Sequence, residues 1–243
     1  MKKLFSYQII KQSFKSVWAW WLISAFVISM NLFAFPSAVG VDHTNLLTKF
    51  AIEGIGAGNG IIFIIICSVI FANIFITNEV DRGTLAITLN TPTTRLQILL
   101  SKALVFITLF ILISLFVGIS GTLSPLMYGI EFDFAKWWTL IALWMMYSLT
   151  TGGIAFIIGC WFNKSRYALA TSSIILGAFF FLDMFAMIER FEFCKYFTLQ
   201  TLFDISAVIQ GESVAWQMIA LTIIAIPLYV IGIIKFVKKD LPL

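Results

Sequence analysis

The chain has 243 residues, of which 60% are hydrophobic and 12% charged, and its formal net charge at neutral pH is +4. Soluble globular domains carry about twice this share of charged residues, so the composition excludes an ordinary soluble domain. A hydrocarbon core about 30 Å thick needs roughly 20 apolar residues for each helical crossing. We therefore predict one all-α, polytopic membrane domain over residues 1–243, with six spans near 17–35, 59–77, 96–119, 137–162, 167–188 and 215–237.

The N-terminal segment, residues 1–16, is basic and amphipathic rather than uniformly apolar. Its apolar residues recur at helical spacing while its four lysines keep to other faces, which predicts a helix lying in the membrane interface. A disordered basic leader is the alternative. A cleaved signal peptide is the alternative for the first span, but the run WAWWLISAFVISMNLFAF is long and aromatic, which favours a retained helix.

Two long connections are expected on the face opposite the N-terminus. The glycines of EGIGAGNG, at the end of 36–58, are spaced four residues apart, a pattern that lets another helix approach closely if the segment is helical. The connection 189–214 mixes aromatic and charged residues, as in amphipathic segments that lie on a membrane surface.

The basic residues divide unevenly between the two faces of this arrangement. With six spans, twelve of the sixteen Lys and Arg side chains lie on the face that holds both termini, and only Lys49, Lys136, Arg190 and Lys195 lie on the other. Cytoplasmic loops carry an excess of Lys and Arg, so we predict that both termini are cytoplasmic. The basic net charge is therefore explained by the orientation of the chain in the membrane and does not indicate binding to nucleic acid.

The connection between the second and third spans, NEVDRGTLAITLNTPTTR at 78–95, is patterned rather than short. Asn78 is typical of a helix N-cap, and Glu79 and Asp81 suit the positive N-terminal end of a helix. Gly83 would then lie inside this short helix, at a cost of about 1 kcal/mol relative to alanine, where another backbone comes close. Such a helix is typical of a docking element for a soluble partner; an ordinary interfacial loop helix is the alternative.

The same connection contains residues that end one helix and begin the next. Pro92 breaks the helix after Asn90-Thr91. Thr93 or Thr94 can cap the following helix, and Arg95 would anchor the start of that helix at the inner leaflet.

Signatures of catalysis and metal binding are missing from the sequence. The single histidine, His43, is expected in a loop, and no H-E-x-x-H, G-x-S-x-G or G-x4-G-K-[ST] motif occurs. The three cysteines, Cys67, Cys160 and Cys194, show no metal-binding spacing and are expected as small packed hydrophobes. We therefore predict no catalytic residue, no metal and no cofactor held by this chain.

Asp183 is the one acidic residue within a predicted span. Ionisable side chains inside membranes are costly and are candidates for function. Asp183 lies about six residues from the outer end of its helix, so snorkelling to the interface or pairing within the bundle is one interpretation. A role in a substrate path or proton relay is the other.

The string ITNEVDRGTLAITLNTPTTRLQILLSK resembles a segment of ABC-2-type transporter permeases with the pattern E-x3-G-T-L…P-x-(S/T)-R…K. The matching residues are Glu79, Gly83, Thr84, Leu85, Pro92, Thr94, Arg95 and Lys102. Thr94 stands where serine is common in that family. The six-span layout, the amphipathic N-terminus, the outer segment before the last span and the basic tail also resemble these permeases.

The resemblance implies a half-transporter of a bacterial cell membrane. Two such permeases, identical or different, would pair in the bilayer, and each would dock onto a separate cytoplasmic ATPase subunit that binds ATP and magnesium. Closure of the ATPase pair would tilt the spans and open a path outward. The coupling helix for this contact would comprise Glu79, Asp81, Arg82, Gly83, Thr84, Leu85, Ile87 and Arg95.

The 25 phenylalanines suggest a path suited to an amphipathic or hydrophobic cargo, although the rings could instead simply face lipid. An antimicrobial or cytolytic peptide or a hydrophobic antibiotic fits best among cargoes of this family's exporters. A non-transporting immunity or sensor subunit that docks a cytoplasmic partner is the alternative function. A gradient-driven carrier is a third, disfavoured by the scarcity of ionisable residues in the spans.

Overall fold

The computed structural model describes residues 6–38, 46–56, 59–84, 94–129, 132–186 and 188–239. Within these ranges the chain forms helices and turns, without a strand. Six helices are long and apolar enough to cross a membrane: Tyr7–Met30, Gly60–Asp81, Arg95–Tyr128, Phe134–Trp161, Ser165–Ala186 and Ala215–Val237. The prediction of an all-helical chain with six helices of membrane-spanning length is thereby confirmed for the described residues.

The helices are numbered here in chain order. Their bounds are α1 (Tyr7–Ala38), α2 (Leu46–Lys49, continued by π-helical Phe50–Gly56), α3 (Asn59–Ala72, continued by π-helical Asn73–Thr77 and a last turn Asn78–Asp81), α4 (Arg95–Tyr128), α5 (Phe134–Trp161), α6 (Ser165–Ala186), α7 (Ile205–Gln210) and α8 (Ala215–Val237). Two 3₁₀ segments, Glu189–Phe197 and Gln200–Leu202, lie between α6 and α7.

Helix α1 differs from the sequence-based prediction of an interfacial helix over 1–16 followed by a span over 17–35. It runs unbroken from Tyr7 to Ala38, 32 residues in all. The stretch has no glycine, and its first proline is Pro36, so nothing in it breaks the helix where the polarity changes. The two predicted elements are one helix within the described residues.

Hydrogen bonds between helices fix their relative direction. Trp21 Nε1 donates to Leu109 O (3.2 Å), and Ser120 Oγ donates to Ser29 Oγ (3.0 Å), so residue numbers rise together along α1 and α4. The two helices are therefore parallel, as the first and third of six successive crossings must be.

The pair α5 and α8 is also parallel. Thr150 Oγ1 donates to Leu221 O (3.1 Å), and ten residues further along α5 the carbonyl of Cys160 accepts from Lys239 Nζ (3.1 Å). The fourth and sixth crossings thus run in the same direction, which agrees with a chain that alternates across the bilayer.

Aromatic rings fill the interior between α3, α4, α5 and α8. Phe106 lies at the centre, with ring centroids 5.1 Å from Phe110, 5.7 Å from Phe156, 6.0 Å from Phe75 and 6.2 Å from Tyr229. Rings at such separations in tilted or edge-to-face arrangements pack favourably. These phenylalanines therefore belong to the packed core, and neither face lipid nor line an open path.

The outward faces of α6 and α8 are apolar and exposed. Large apolar side chains on these faces include Ile174, Phe181, Ile223 and Ile226. Large exposed apolar side chains on a helix of membrane-spanning length are typical of contact with lipid or with another membrane helix.

Candidate functional site

One end of the helix bundle collects the basic residues. The start of α1, the end of α3, the start of α4, the α5–α6 connection and the tail after α8 lie there, and we call it the basic end. The described basic residues at this end are Lys11, Lys15, Arg82, Arg95, Lys102, Lys164, Arg166, Lys235, Lys238 and Lys239. The sequence placed the same residues together on the inner face; that this face is cytoplasmic stays a prediction.

The end of α3 is set by Gly83, which the sequence placed inside a helix. Gly83 has a φ of 69°, and its backbone N–H donates to Val80 O (3.1 Å). A left-handed glycine just past the last turn is a common way to end a helix, because a side chain there would be strained. The prediction of Gly83 as an interior helical residue is wrong.

The acidic residues before Gly83 lie at the opposite helix end from the one predicted. Asn78 is inside a continuous helix and makes no N-cap, and Glu79 and Asp81 lie in its last turn. The helix continues past the apolar run because Thr77 and Val80 still face the core, 0% and 6% exposed. Carboxylates at a helix C-terminus are unfavourable unless they have other partners.

Glu79 forms an ion pair with a lysine of α4. Glu79 Oε2 lies 2.5 Å from Lys102 Nζ, and the same ammonium group donates to Phe75 O at 2.5 Å. Lys102 is only 2% exposed, so its charge is almost fully removed from solvent. Phe75 lies in the π-helical turn of α3, where Asn78 N donates to Asn73 O, five residues back. The lysine thus joins the side chain and the backbone of α3 to α4.

Asp81 connects α3 to α6. Its Oδ2 accepts the backbone N–H of Ser165 (3.0 Å), the first residue of α6, and Ser165 Oγ donates to Asn73 Oδ1 (2.8 Å). A carboxylate at a helix N-terminus satisfies an otherwise unpaired N–H and suits the positive end of the helix. Asp81 therefore does serve a helix N-terminus, but that of α6 rather than one of its own.

Thr94 begins α4, as one of the two predicted caps. Gln97 N donates to Thr94 Oγ1 (3.3 Å), and Thr94 N donates to Gln97 Oε1 (2.9 Å). The two bonds form a capping box, which satisfies donors at both positions. The prediction of a cap at Thr93 or Thr94 is confirmed at Thr94.

Arg95 and the C-terminal tail complete the arrangement. Arg95 donates from its guanidinium to Lys239 O (3.1 Å), and Lys239 Nζ donates to Cys160 O at the end of α5. Partial burial lowers the pKa of Lys239 from its ordinary value. We call Glu79, Asp81, Arg95, Lys102, Ser165 and Lys239 the polar junction, because they join α3, α4, α5, α6 and the tail.

The predicted coupling residues divide into three groups. Glu79, Asp81 and Arg95 belong to the polar junction, whereas Arg82 and Gly83 form an exposed turn at its edge and Thr84, also exposed, is helical again. Leu85 and Ile87 lie outside the described residues, together with Pro92. Sequence reasoning missed the pairing of Lys102, although a lysine within an apolar helix calls for a carboxylate partner.

Asp183 lies far from the polar junction. It is eighteen residues along α6 from Ser165, which corresponds to about 27 Å of helix. Its side chain is partly buried, and within the described residues no ion pair or hydrogen bond to its carboxylate is found. The interpretation of Asp183 as paired within the bundle therefore has no support among the described residues.

The contacts of the polar junction link helix ends to one another. Within the described part of the chain, no group of three or more His, Cys, Asp and Glu side chains could hold a metal ion. No protein-family model matches the chain, and no curated protein matches it. What the junction can do physically is hold four helix ends and an exposed turn as one unit.

Proposed function

We propose that the chain is the transmembrane subunit of an ATP-driven exporter of the ABC-2 type. It would form the path for an amphipathic or hydrophobic cargo, and ATP would be hydrolysed by a separate cytoplasmic ATPase subunit. The observation that carries the proposal is the polar junction, since it couples the exposed turn Arg82–Gly83 to helices of the bundle through directed polar contacts.

A force on the connection between α3 and α4 would reach three helices at once. Glu79 passes it to α4 through Lys102, and Asp81 passes it to the first residue of α6. A plain loop between two spans needs no such links, and charged groups taken out of water are costly unless paired. Contacts of this kind suit a connection that must move its helices together.

Several parts of the proposal rest on the resemblance in the segment from Glu79 to Lys102. They are docking of the ATPase on the coupling helix, pairing with a second permease, and a place in the membrane of a bacterial cell. The exposed apolar faces of α6 and α8 are available for lipid or for that second permease. An antimicrobial or cytolytic peptide, or a hydrophobic antibiotic, is the cargo that we propose.

The coupling part is tested by co-purification with a soluble P-loop ATPase subunit co-expressed with this chain, a gene for such an ATPase next to that of the chain being the first candidate. Arg82→Glu changes an exposed side chain in the turn, and Arg190→Glu makes the same change at an exposed residue after α6. We expect Arg82→Glu to lower both retained ATPase and its turnover at least fivefold, with Arg190→Glu equal to wild type. Equal retention by all three proteins would overturn the docking role.

Export is tested separately from docking. Inside-out membrane vesicles that hold both subunits should accumulate a fluorescent amphipathic peptide when ATP is added, and not with a non-hydrolysable analogue. If the ATPase binds but no cargo accumulates across peptides and hydrophobic antibiotics, the chain is the non-transporting immunity or sensor subunit instead.

A further inference from the structure

An apolar groove lies at the surface of the bundle near the basic end, between α5 and α6. Its volume is about 320 Å³, and it is open on one side. It is lined from the end of α5 by Ile157, Ile158, Trp161 and Phe162, and from α6 by Thr171. Four of these five side chains are apolar, and neither helix fills the space between them. We call this space the α5–α6 groove.

The depth of the groove is set by its distance from the ends of its two helices. Trp161 is the last residue of α5, and Ile157 lies one turn before it, about 6 Å along the helix. Thr171 is six residues into α6 from Ser165, which corresponds to about 9 Å. The 28 residues of α5 span about 42 Å, the thickness of a bilayer with its headgroups. The groove therefore lies where headgroups give way to acyl chains.

Helix α8 passes beside the groove and brings a positive charge to it. A Cβ at Gly232 of α8 would lie 3.4 Å from Ile157 Cα, so the two helices are in close contact there. Three residues further along α8, Lys235 Nζ lies 4.4 Å from the centroid of the Trp161 ring. The face of an indole ring attracts an ammonium group. Because the same tryptophan lines the groove, the charge of Lys235 is held next to the apolar space.

The positive charge around the groove is not balanced by the carboxylates that the structure describes. Lys235 is exposed, as is Lys164 in the α5–α6 connection, two residues past the groove. Within the described residues neither lysine forms an ion pair. Glu79 and Asp81, the acidic residues described at the basic end, are bonded within the polar junction. An anion beside the groove would therefore meet two cations that lack a described counter-charge.

We propose that the α5–α6 groove binds one acyl chain of an anionic phospholipid, and that Lys235 and Lys164 bind its phosphate. The apolar side chains at the end of α5 cover the acyl chain, and the two ammonium groups balance the charge of the headgroup. Basic residues beside a pocket between membrane helices are suited to anionic lipid headgroups. Free phosphate would leave the apolar groove empty, so the occupant is a lipid.

The test is photo-crosslinking of the full chain in phosphatidylcholine nanodiscs, read out by peptide mass spectrometry. The probe is phosphatidylglycerol with a diazirine in one acyl chain, added as a minor component. Phosphatidylcholine with the same diazirine chain is the zwitterionic probe. Labelling at the groove is compared with labelling at Ile223 and Ile226, which are exposed on α8 and accessible to any lipid.

We expect the phosphatidylglycerol probe to label the groove at least tenfold more than the phosphatidylcholine probe, with equal labelling by both at Ile223 and Ile226. Lys235→Gln should lower the groove signal about fivefold, since one basic residue near an anionic surface contributes about 1 kcal/mol. The matched control is Lys11→Gln, the same change at an exposed lysine of α1 at the basic end, which should leave the signal unchanged.

A second pair of variants tests the acyl chain rather than the headgroup. Thr171→Phe places a ring in the groove and should abolish its labelling by phosphatidylglycerol while Lys235 is intact. Ser173→Phe places the same ring at an exposed position on another face of α6 and should leave labelling unchanged. Equal labelling in the two variants would show that the chain does not occupy the groove and would overturn the proposal.

Three other results would overturn it. Equal labelling of the groove by both probes would show ordinary lipid contact, and this comparison needs only the wild-type protein. An equal fall in Lys235→Gln and Lys11→Gln would show general attraction to the basic end. Protection by glycerol 3-phosphate as strong as that by unlabelled phosphatidylglycerol would show that a soluble phosphate suffices.

The outcome is separable from the exporter proposal, because the groove needs no ATPase. Arg82→Glu tests docking at the turn after α3 and changes no residue that lines the groove. A chain that selects the anionic probe but shows no ATP-driven accumulation keeps the lipid site and loses the exporter function, and the converse result does the reverse.

Discussion

Glu79 and Lys102 form an ion pair of 2.5 Å that joins the last turn of α3 to α4, two turns from the start of α4. The two residues lie 23 positions apart in the chain, and the lysine is nearly inaccessible to solvent. A buried ammonium group is tolerated only when its charge and its donors are matched. The carboxylate of Glu79 and the carbonyl of Phe75 provide that match.

Removing one member of this pair should cost more than removing both. Glu79→Ala leaves Lys102 buried without its counter-charge, so we expect the free energy of unfolding in detergent to fall by about 3 kcal/mol. Combining Glu79→Ala with Lys102→Met, which removes the charge and keeps the length, should recover most of that loss. Thermal unfolding followed by circular dichroism measures both variants.

The control for this cycle is Glu212→Ala, which removes a carboxylate from an exposed position and should leave stability unchanged. A single Glu79→Ala variant as stable as wild type would show that the pair adds nothing. A double variant as unstable as the single one would show that the loss has another origin than the unpaired lysine.

The predicted orientation of the chain, with both termini in the cytoplasm, implies a labelling pattern that can be measured. Arg82→Cys places a thiol in the exposed turn at the basic end, and Glu212→Cys places one after α7 at the other end. A membrane-impermeant maleimide should label Glu212→Cys in intact bacterial cells and label Arg82→Cys only after permeabilisation, because the basic end is expected in the cytoplasm. The reverse pattern would invert the orientation.

The wild-type chain is itself the control for this experiment. Its three native cysteines, Cys67, Cys160 and Cys194, are free and buried. They should therefore give little signal before or after permeabilisation, and any strong background would be removed by replacing them with serine.

The sequence predicted the helices better than the places where they end. The third span was predicted over 96–119, whereas α4 runs from Arg95 to Tyr128. The extra turns contain glycine, serine and proline, which lower hydropathy, but Ser124 donates to Leu32 O (3.1 Å) on α1. Packing against α1 stabilises these turns. The hydropathy of one segment holds no information about a neighbouring helix, so it could not predict them.

Neighbouring helices also decide the structure of the polar connection between α3 and α4, so the sequence alone did not predict it correctly. Asn78 followed by acidic residues is a strong local signal for a helix start. In the structure the preceding residues are already helical, so these residues lie at a helix end instead. Whether they begin or end a helix depends on the burial of Thr77 and Val80 against other helices. The partners of Glu79 and Asp81 lie 23 and 84 positions away, and only the fold brings them close.

Alanine substitutions at two glycines of long helices should change the free energy of unfolding in opposite directions. A Cβ at Gly121 on α4 would lie 2.0 Å from the ring of Trp137, which is fully buried and donates from Nε1 to Gly118 O (3.0 Å). Gly121→Ala should therefore lower the free energy of unfolding by about 2 kcal/mol through overpacking. A Cβ at Gly177 on α6 would meet nothing within 4 Å, so Gly177→Ala should raise stability by about 0.5–1 kcal/mol.

Both glycine variants are measured by thermal unfolding in the same detergent, so that the surrounding medium is constant. If Gly121→Ala proves neutral, Trp137 has room to move and the close packing of α4 on α5 is not required. If Gly177→Ala destabilises the protein, the face of α6 at Gly177 packs against something in the folded protein, a second copy of the chain being one such partner.

Asp81 lies on α3, but replacing it should mainly destabilise α6, whose first residue donates to its carboxylate. Asp81→Ala removes the acceptor for Ser165 N, and loss of a cap costs about 1 kcal/mol. Asp81→Asn keeps an oxygen for the same N–H and should lose less than half as much. Hydrogen exchange of the first turn of α6, measured by mass spectrometry, should speed up in Asp81→Ala and change little in Arg82→Ala, its exposed neighbour. Faster exchange confined to α3, with α6 unaffected, would show that the link from Asp81 to Ser165 does not hold the two helices together.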